Sequence, residues 1–453
     1  MISRQILEIP ESISKTELKN LPINLSLNYR KALHRMLLMP VFLLVCLGTF
    51  AFSQTTTLSL DTCYALAQIN YPLVMQMDLL EQSKEYSLSN ASKGYLPQVN
   101  IGGQASYQSE VTSFPGAGPN SGFPELSKDQ YKIYGEINQP LTEVFVIKQQ
   151  KALIEGGNIE EKQKLQVELY ALKERINQIY FGILIIDSQL KQIEILQSDI
   201  NAGIRNAKEA LENGTGIKSN VDILQAELLK SQQRTSELKA TRRGFAGMLS
   251  LFVGQEVDEA TILETPPQQP IVDNIQRPEL ALFDVMQRTI DSQDKLITAK
   301  NLPRLGLFLQ GGYARPALNF LDDHFDFYYI FGVRLNYNLS GLYTIGKERK
   351  QVDLNRGLIR IQKETFIFNT RLKLHQQKSE LQKLQELISA DEEIIILRQN
   401  ILVVSKSQLE NGTISANDYI THANALDLAS QNLSLHRLQF LLAQYSHLIT
   451  SGN

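Results

Sequence analysis

Apolar side chains recur every three and four residues from Leu169 through Leu172, Ile176, Ile179, Ile183, Ile186, Leu190 and Ile193 to Ile200 and Ile204. Only Gln197 breaks this 3.5-residue repeat, which predicts a coiled-coil seam. The helical pattern around it, about 144–211, would be on the order of 100 Å long at the α-helical rise. A helix of that length is too long for the interior of a compact domain and predicts a rod or tube. The same seam returns 198 positions on, at Ile367, Leu374, Leu381, Leu384, Ile388, Ile395 and Leu402, diluted by polar residues at 370, 377, 391 and 398. Each long helix ends at the same words, Leu211-Glu212-Asn213-Gly214-Thr215 and Leu409-Glu410-Asn411-Gly412-Thr413. Asn-Gly is turn chemistry, so each copy should stop its helix and send the chain back as a returning helix, about 221–252 and 418–449.

A second periodicity precedes each long helix. Tyr329, Phe331, Val333, Leu335, Tyr337 and Leu339 alternate with mostly polar neighbours, the period of a strand with one apolar face. Four strands are expected, about 98–111, 129–141, 304–314 and 325–339, as two hairpins. The first hairpin carries a Gly- and Pro-rich connection at 113–124. Strands of this length can cross a bilayer tilted in a barrel, but four cannot close one. They form a small soluble sheet, or several chains pool them.

The matching order of elements makes the chain a tandem duplication, with a first repeat at 54–253 and a second at 275–453. The Pro-rich stretch 254–274 reads as the linker between them. Asp61 is a candidate cap for the first short helix, and Pro72 starts the next.

Residues 1–53 read as a signal peptide with an N-terminal extension: Arg30, Lys31 and Arg35 precede an apolar run, and Ala51-Phe52-Ser53 offers a cleavage site. Cys46 follows the bulky Val45, against a lipid-attachment site. Cleavage would leave Cys63 alone, with no disulfide framework. A formal charge of −3 on 453 residues leaves no footprint for nucleic acid. The six histidines show no metal-ligand spacing, and no phosphate loop or nucleophile elbow is present, so neither an enzyme nor a cofactor is expected. Asp322-Asp323-His324, the densest polar cluster, falls in a hairpin loop.

Leu96-Pro97-Gln98-Val99, Asn138-Gln139-Pro140-Leu141 and the run from Leu211 to Leu228, within the duplicated order of elements, resemble the TolC family of outer-membrane efflux proteins. The resemblance covers about 56–450. It implies a homotrimer that pools four strands per chain into a twelve-stranded outer-membrane barrel, continued by a helical tube across the periplasm. Such a duct serves an inner-membrane transporter through a periplasmic adaptor protein and performs no chemistry. The resemblance also implies an aperture at the helix turns, with Asp418 as a carboxylate ring and Asp222 and Lys218 beside it, and adaptor docking at Gly214, Thr215, Gly412 and Thr413. Asp418 has a second reading, as a cap of the returning helix. Ile414, Thr421 and Leu409 stand where some members carry the charged and tyrosine side chains of a gate latch. A soluble periplasmic coiled-coil adaptor or scaffold is the competing reading.

Overall fold

The computed structural model describes residues 57–112 and 127–453. The expected signal peptide and the connection at 113–124 lie outside the described residues. Helix α1, Leu60–Asn70, begins behind Ser59, whose hydroxyl accepts from Thr62 N. The cap is therefore Ser59 and not Asp61. The extended backbone at Ser59 aims its oxygen at the first turn, while Asp61 already lies inside the helix, where its charge suits the N-terminal dipole. Pro72–Met75 forms a 3-10 turn, after which α2 runs Gln76–Ser92.

The duplication is visible in element lengths. Helices α3, Glu143–Glu212, and α6, Gly341–Glu410, have 70 residues each. The returning helices α4, Lys218–Val253, and α7, Ala416–Ser451, have 36 each. Helix α5, Pro278–Lys300, has proline in its first turn, where a missing N–H costs nothing. The α3 seam is buried at nine of its positions, Leu190 being half-buried. The α6 seam buries Leu374, Leu381 and Leu384 and admits polar side chains that find partners. Thr370 donates back to Phe366 O, Gln377 donates to Thr450 Oγ1, and Asp391 pairs with His436 Nδ1 across the coil at 2.5 Å.

Strands β2 Gln98–Tyr107, β3 Asp129–Pro140, β5 Arg304–Arg315 and β6 Asp326–Asn336 form one antiparallel sheet in the order β2-β3-β5-β6. Register places Val99 beside Ile137, Ile137 beside Leu309, and Leu309 beside Phe331. One face is thus continuously apolar and exposed. The other carries Gln104, Lys132, Gln310 and the ion pair Glu136–Arg334. β2 and β6 end earlier than the alternation suggests, because pairing stops at Tyr107↔Asp129 and at Arg304↔Asn336. Both outer strands keep a free edge among the described residues.

The linker is more than a tether. Thr57–Leu58 (β1) pairs in parallel with Ile262–Leu263 (β4), so the strand ahead of α1 is stitched to the stretch that follows α4. Val257, Thr261 and Leu263 are buried. Arg242 on α4, 7% exposed, donates to both oxygens of Asp187 and to the carbonyls of Asp258 and Thr261. This packing adjoins the main core, where Phe181 and Ile183 of α3 meet Leu249, Val253 and Tyr445. Cys63 lies inside it, and burial pushes its thiol up to about 12.

His447 is fully buried, and neither ring nitrogen has a hydrogen-bond partner. Burial lowers its pKa; Asp273, 3.7 Å away, opposes that shift and Lys378 adds to it. Below about pH 6.5 the unfolded chain therefore binds a proton that the folded chain refuses, and stability falls as pH falls. The unfolding midpoint should drop between about pH 7.5 and 5.5, and His447→Asn should flatten that slope. Chemical denaturation at several pH values measures it.

Candidate functional site

The two hairpin turns have the same construction. Asn213 and Asn411 close the long helices, and Gly214 and Gly412 follow at φ +74 and +68. Only a residue without Cβ takes this conformation at low cost. Thr215 N bonds Ala210 O and Thr413 N bonds Gln408 O, the six-residue closure of a Schellman turn. The threonine hydroxyls donate to the same two carbonyls. Gly214, Thr215, Gly412 and Thr413 are all exposed, so both tips present the same Gly-Thr pair.

Behind the second turn, Ser415 caps α7. Its hydroxyl accepts from Asp418 N, and the Asp418 carboxylate reaches back to Ser415 N, which completes a capping box. These bonds hold the Asp418 carboxyl below its ordinary range, so it is charged at neutral pH while remaining exposed. The first turn has no counterpart: Ile217 precedes α4 without a side-chain cap. Lys218 is the first residue of α4 and Asp222 lies one turn further, both exposed and without an ion-pair partner among the described residues. Counting from Gly216 makes Asp222 look equivalent to Asp418. The positive-φ glycine is Gly214, however, so the partner of Asp418 in the first repeat is Asn220, and Asp222 corresponds to Ile420.

A cluster the sequence did not reveal joins the two hairpins just inside the tips. Ile200, Ile204 and Leu224 pack against Tyr419, Ile420 and Ala423. The Leu224 and Tyr419 side chains pack over Gly203 of α3 at ordinary van der Waals distance. Leu409 and Ile414 join this cluster. Thr421 turns its hydroxyl back to Asn417 O. Further from the tips, Asn424 donates to Glu227 and Arg234 donates to Gln431. In both pairs the partners are 197 residues apart, so α4 and α7 run side by side in register. A groove of about 1280 Å³ lies between the hairpins, bordered by Asp199, Lys406, Glu410 and Asp418.

Among the described residues, no group of three or more His, Cys, Asp or Glu side chains is placed to hold a metal ion. No helix there is long and apolar enough to cross a membrane.

Duplicated 70-residue helices beneath a sheet that is apolar on one face define a TolC-like fold. Solved structures share it. The outer membrane protein VceC of Vibrio cholerae superposes with a TM-score of 0.62 at 12% identity, over 87% of this chain and 96% of that one. The Campylobacter jejuni CmeC outer membrane channel gives 0.60 at 11%, over 90% and 91%. The Neisseria gonorrhoeae MtrE outer membrane channel, in its open state, gives 0.59 at 12%, over 87% and 89%. No protein-family model and no curated protein matches the sequence. At these identities the likeness is one of fold.

Proposed function

We propose that the chain is an outer-membrane exit duct of an efflux or secretion system. It would conduct solutes passively from an inner-membrane transporter and its periplasmic adaptor to the exterior. The observation that carries this reading is the four-stranded sheet. One face is apolar and the other mostly polar, and both edges are free among the described residues. Free edges are intolerable for an isolated sheet in lipid, because every backbone polar group there needs a partner, and an apolar face of this extent is unfavourable in water. Strand directions alternate from β2 to β6, so a second copy can add β2 beside β6 and continue the antiparallel pattern. Three copies make twelve strands, enough for a barrel with a water-filled interior. The helical hairpins then continue that barrel as a periplasmic tube, with the 3.5-period seams packing within and between copies.

The equivalent tips at Gly214-Thr215 and Gly412-Thr413 are where the adaptor would dock. Asp418 caps α7 and, repeated in three copies around an axis, would also ring the aperture with negative charge, with Asp222 and Lys218 close to it. The test is conductance of the purified chain in a planar bilayer. Discrete openings are expected, with a cation preference that falls about twofold in Asp418→Asn. Unchanged selectivity would leave Asp418 a helix cap alone. Folded protein that never inserts, and that migrates identically before and after boiling, would point to the soluble coiled-coil scaffold.

A further inference from the structure

We infer that the junction between the strands and the long helices binds anionic phospholipid headgroups, through lysines that lie just below an apolar collar. The inference rests on the duct reading above and names the lipid that this chain would gather at its periplasmic edge. The collar is duplicated. Leu141, Val144 and Phe145 in the first repeat and Leu339, Leu342 and Tyr343 in the second stand 198 positions apart pair by pair, and all six are exposed. Tyr343 is 83% exposed at the start of α6, an unfavourable place for a ring in water. At the other end of the sheet Tyr313 packs against Phe325 and Phe327. From Tyr131 to Leu141 the chain spans about 33 Å, or about 25 Å of height when the strand is tilted, which matches the lipid-facing band of a membrane barrel.

Charge decides what the lower level meets. Lys93 and Lys300 stand at the C-terminal ends of the short helices that arrive at the collar. Lys148 and Lys151 follow Val144 on one face of α3, and Lys347 and Lys350 follow Tyr343 on one face of α6, each at spacings of four and seven residues. None of these six lysines forms an ion pair among the described residues. Few carboxylates stand near: Glu143 is 3.9 Å from Arg304, Asp294 is 4.0 Å from Arg349, and Glu348 lies among Lys347, Arg349 and Lys350. The opposite end of the sheet is acidic, with Asp322, Asp323 and Asp326 at the β5–β6 turn. Lys151 is on the lipid side: its Nζ lies 5.9 Å over the Tyr95 ring, and the Tyr95 carbonyl accepts from Gln139, which alternation puts on the face of Ile137. The helix rise places the α3 and α6 lysines about 6 and 10 Å below the collar. Their side chains tilt toward the helix N-terminus, so the ammonium groups reach up into a headgroup layer about 5–7 Å deep. Phosphate esters there supply the counter-charge that the protein does not.

The chain contains no tryptophan, so Tyr343→Trp sets a single reporter in the collar. The test is quenching of that indole by brominated phosphatidylglycerol or brominated phosphatidylcholine, with the full-length protein reconstituted in phosphatidylcholine vesicles. At about 0.1 M salt phosphatidylglycerol is expected to be preferred about threefold. The preference should fall to near parity when all six lysines are replaced by glutamine. It should do the same at about 1 M salt, where the Debye length shrinks from about 10 Å to about 3 Å. Phe327→Trp, at the acidic end, should report no preference. Equal quenching by the two lipids at low salt overturns the inference, as does a preference that survives the substitutions or appears equally at Phe327→Trp. If the glutamine variant does not fold, the salt comparison on Tyr343→Trp alone gives the decision. A folded protein whose Tyr343→Trp reporter neither lipid quenches would instead refute the membrane placement and the duct reading with it, which separates the two failures.

Discussion

Leu309→Arg is expected to prevent assembly of the protein in the outer membrane, whereas Gln310→Arg, one residue along, should leave it intact. Leu309 sits near the middle of β5, between Ile137 and Phe331 on the exposed apolar face. Its neighbour Gln310 points to the opposite face, beside Glu136 and Ile330. An arginine on the lipid face near the bilayer midplane costs about 2–4 kcal/mol per site. Three copies would multiply that penalty threefold, comparable with the whole stability of an ordinary domain. On the polar face the same guanidinium stays in water and gains a carboxylate neighbour. The readout is the fraction of chain recovered from outer membranes in a form that migrates faster before boiling than after. Equal recovery of the two variants would contradict the assignment of faces.

The second large effect concerns Arg242. Arg242→Met should destabilise the chain by about 2–3 kcal/mol, at the lower end for a broken buried pair because the Asp187 side chain is 35% exposed. The loss is not only of charge. Two carbonyls, Asp258 O and Thr261 O, lose their donor, and the turn that carries β4 loses its anchor on α4. Arg242→Lys should recover little, since a single ammonium cannot serve two carboxylate oxygens and two carbonyls in divergent directions. Replacing both partners, Arg242→Met with Asp187→Leu, should regain part of the loss, because no uncompensated charge remains. Denaturant unfolding measures the midpoints, and protease cleavage between 255 and 267 reports release of the linker.

Most of the helical architecture was legible because it is periodic. A 3.5-residue repeat held over nine buried positions leaves little freedom, and the Asn-Gly turns fall where glycine alone fits cheaply. What stayed hidden depends on side chains that meet across long sequence separations. Arg242 looks like any other charge on a solvated helix face, and only the folded-back linker makes it the hub of four hydrogen bonds. Ser59 and Asp61 are both good caps, and the pairing of Thr57–Leu58 with Ile262–Leu263 decides between them by fixing where the helix begins. The first-repeat equivalent of Asp418 could not be read from the sequence because two glycines stand two residues apart, and backbone conformation rather than composition says which one makes the turn. Asp418 had two readings in the sequence; its bonds to Ser415 are now explicit, while its part in an aperture depends on neighbouring copies. Tyr419 and Ile420 gave no distinctive signal, because an apolar pair at the start of a returning helix is ordinary until it faces the other hairpin.

The alternating strand directions carry a consequence for stoichiometry. A sheet running up, down, up and down accepts a fresh copy at either edge, and then another, without ever being told to stop. The strands therefore do no counting. In the proposed duct, ring size would then be set lower down, by the angle at which one copy's helices lean on the next. Exposed apolar side chains at Ile394, Leu397, Ile401 and Val404 form a stripe along α6 at coiled-coil spacing, available for that contact. Variants with an altered number of subunits are accordingly to be sought along that stripe, and strand variants should change whether the ring inserts but not how many members it has.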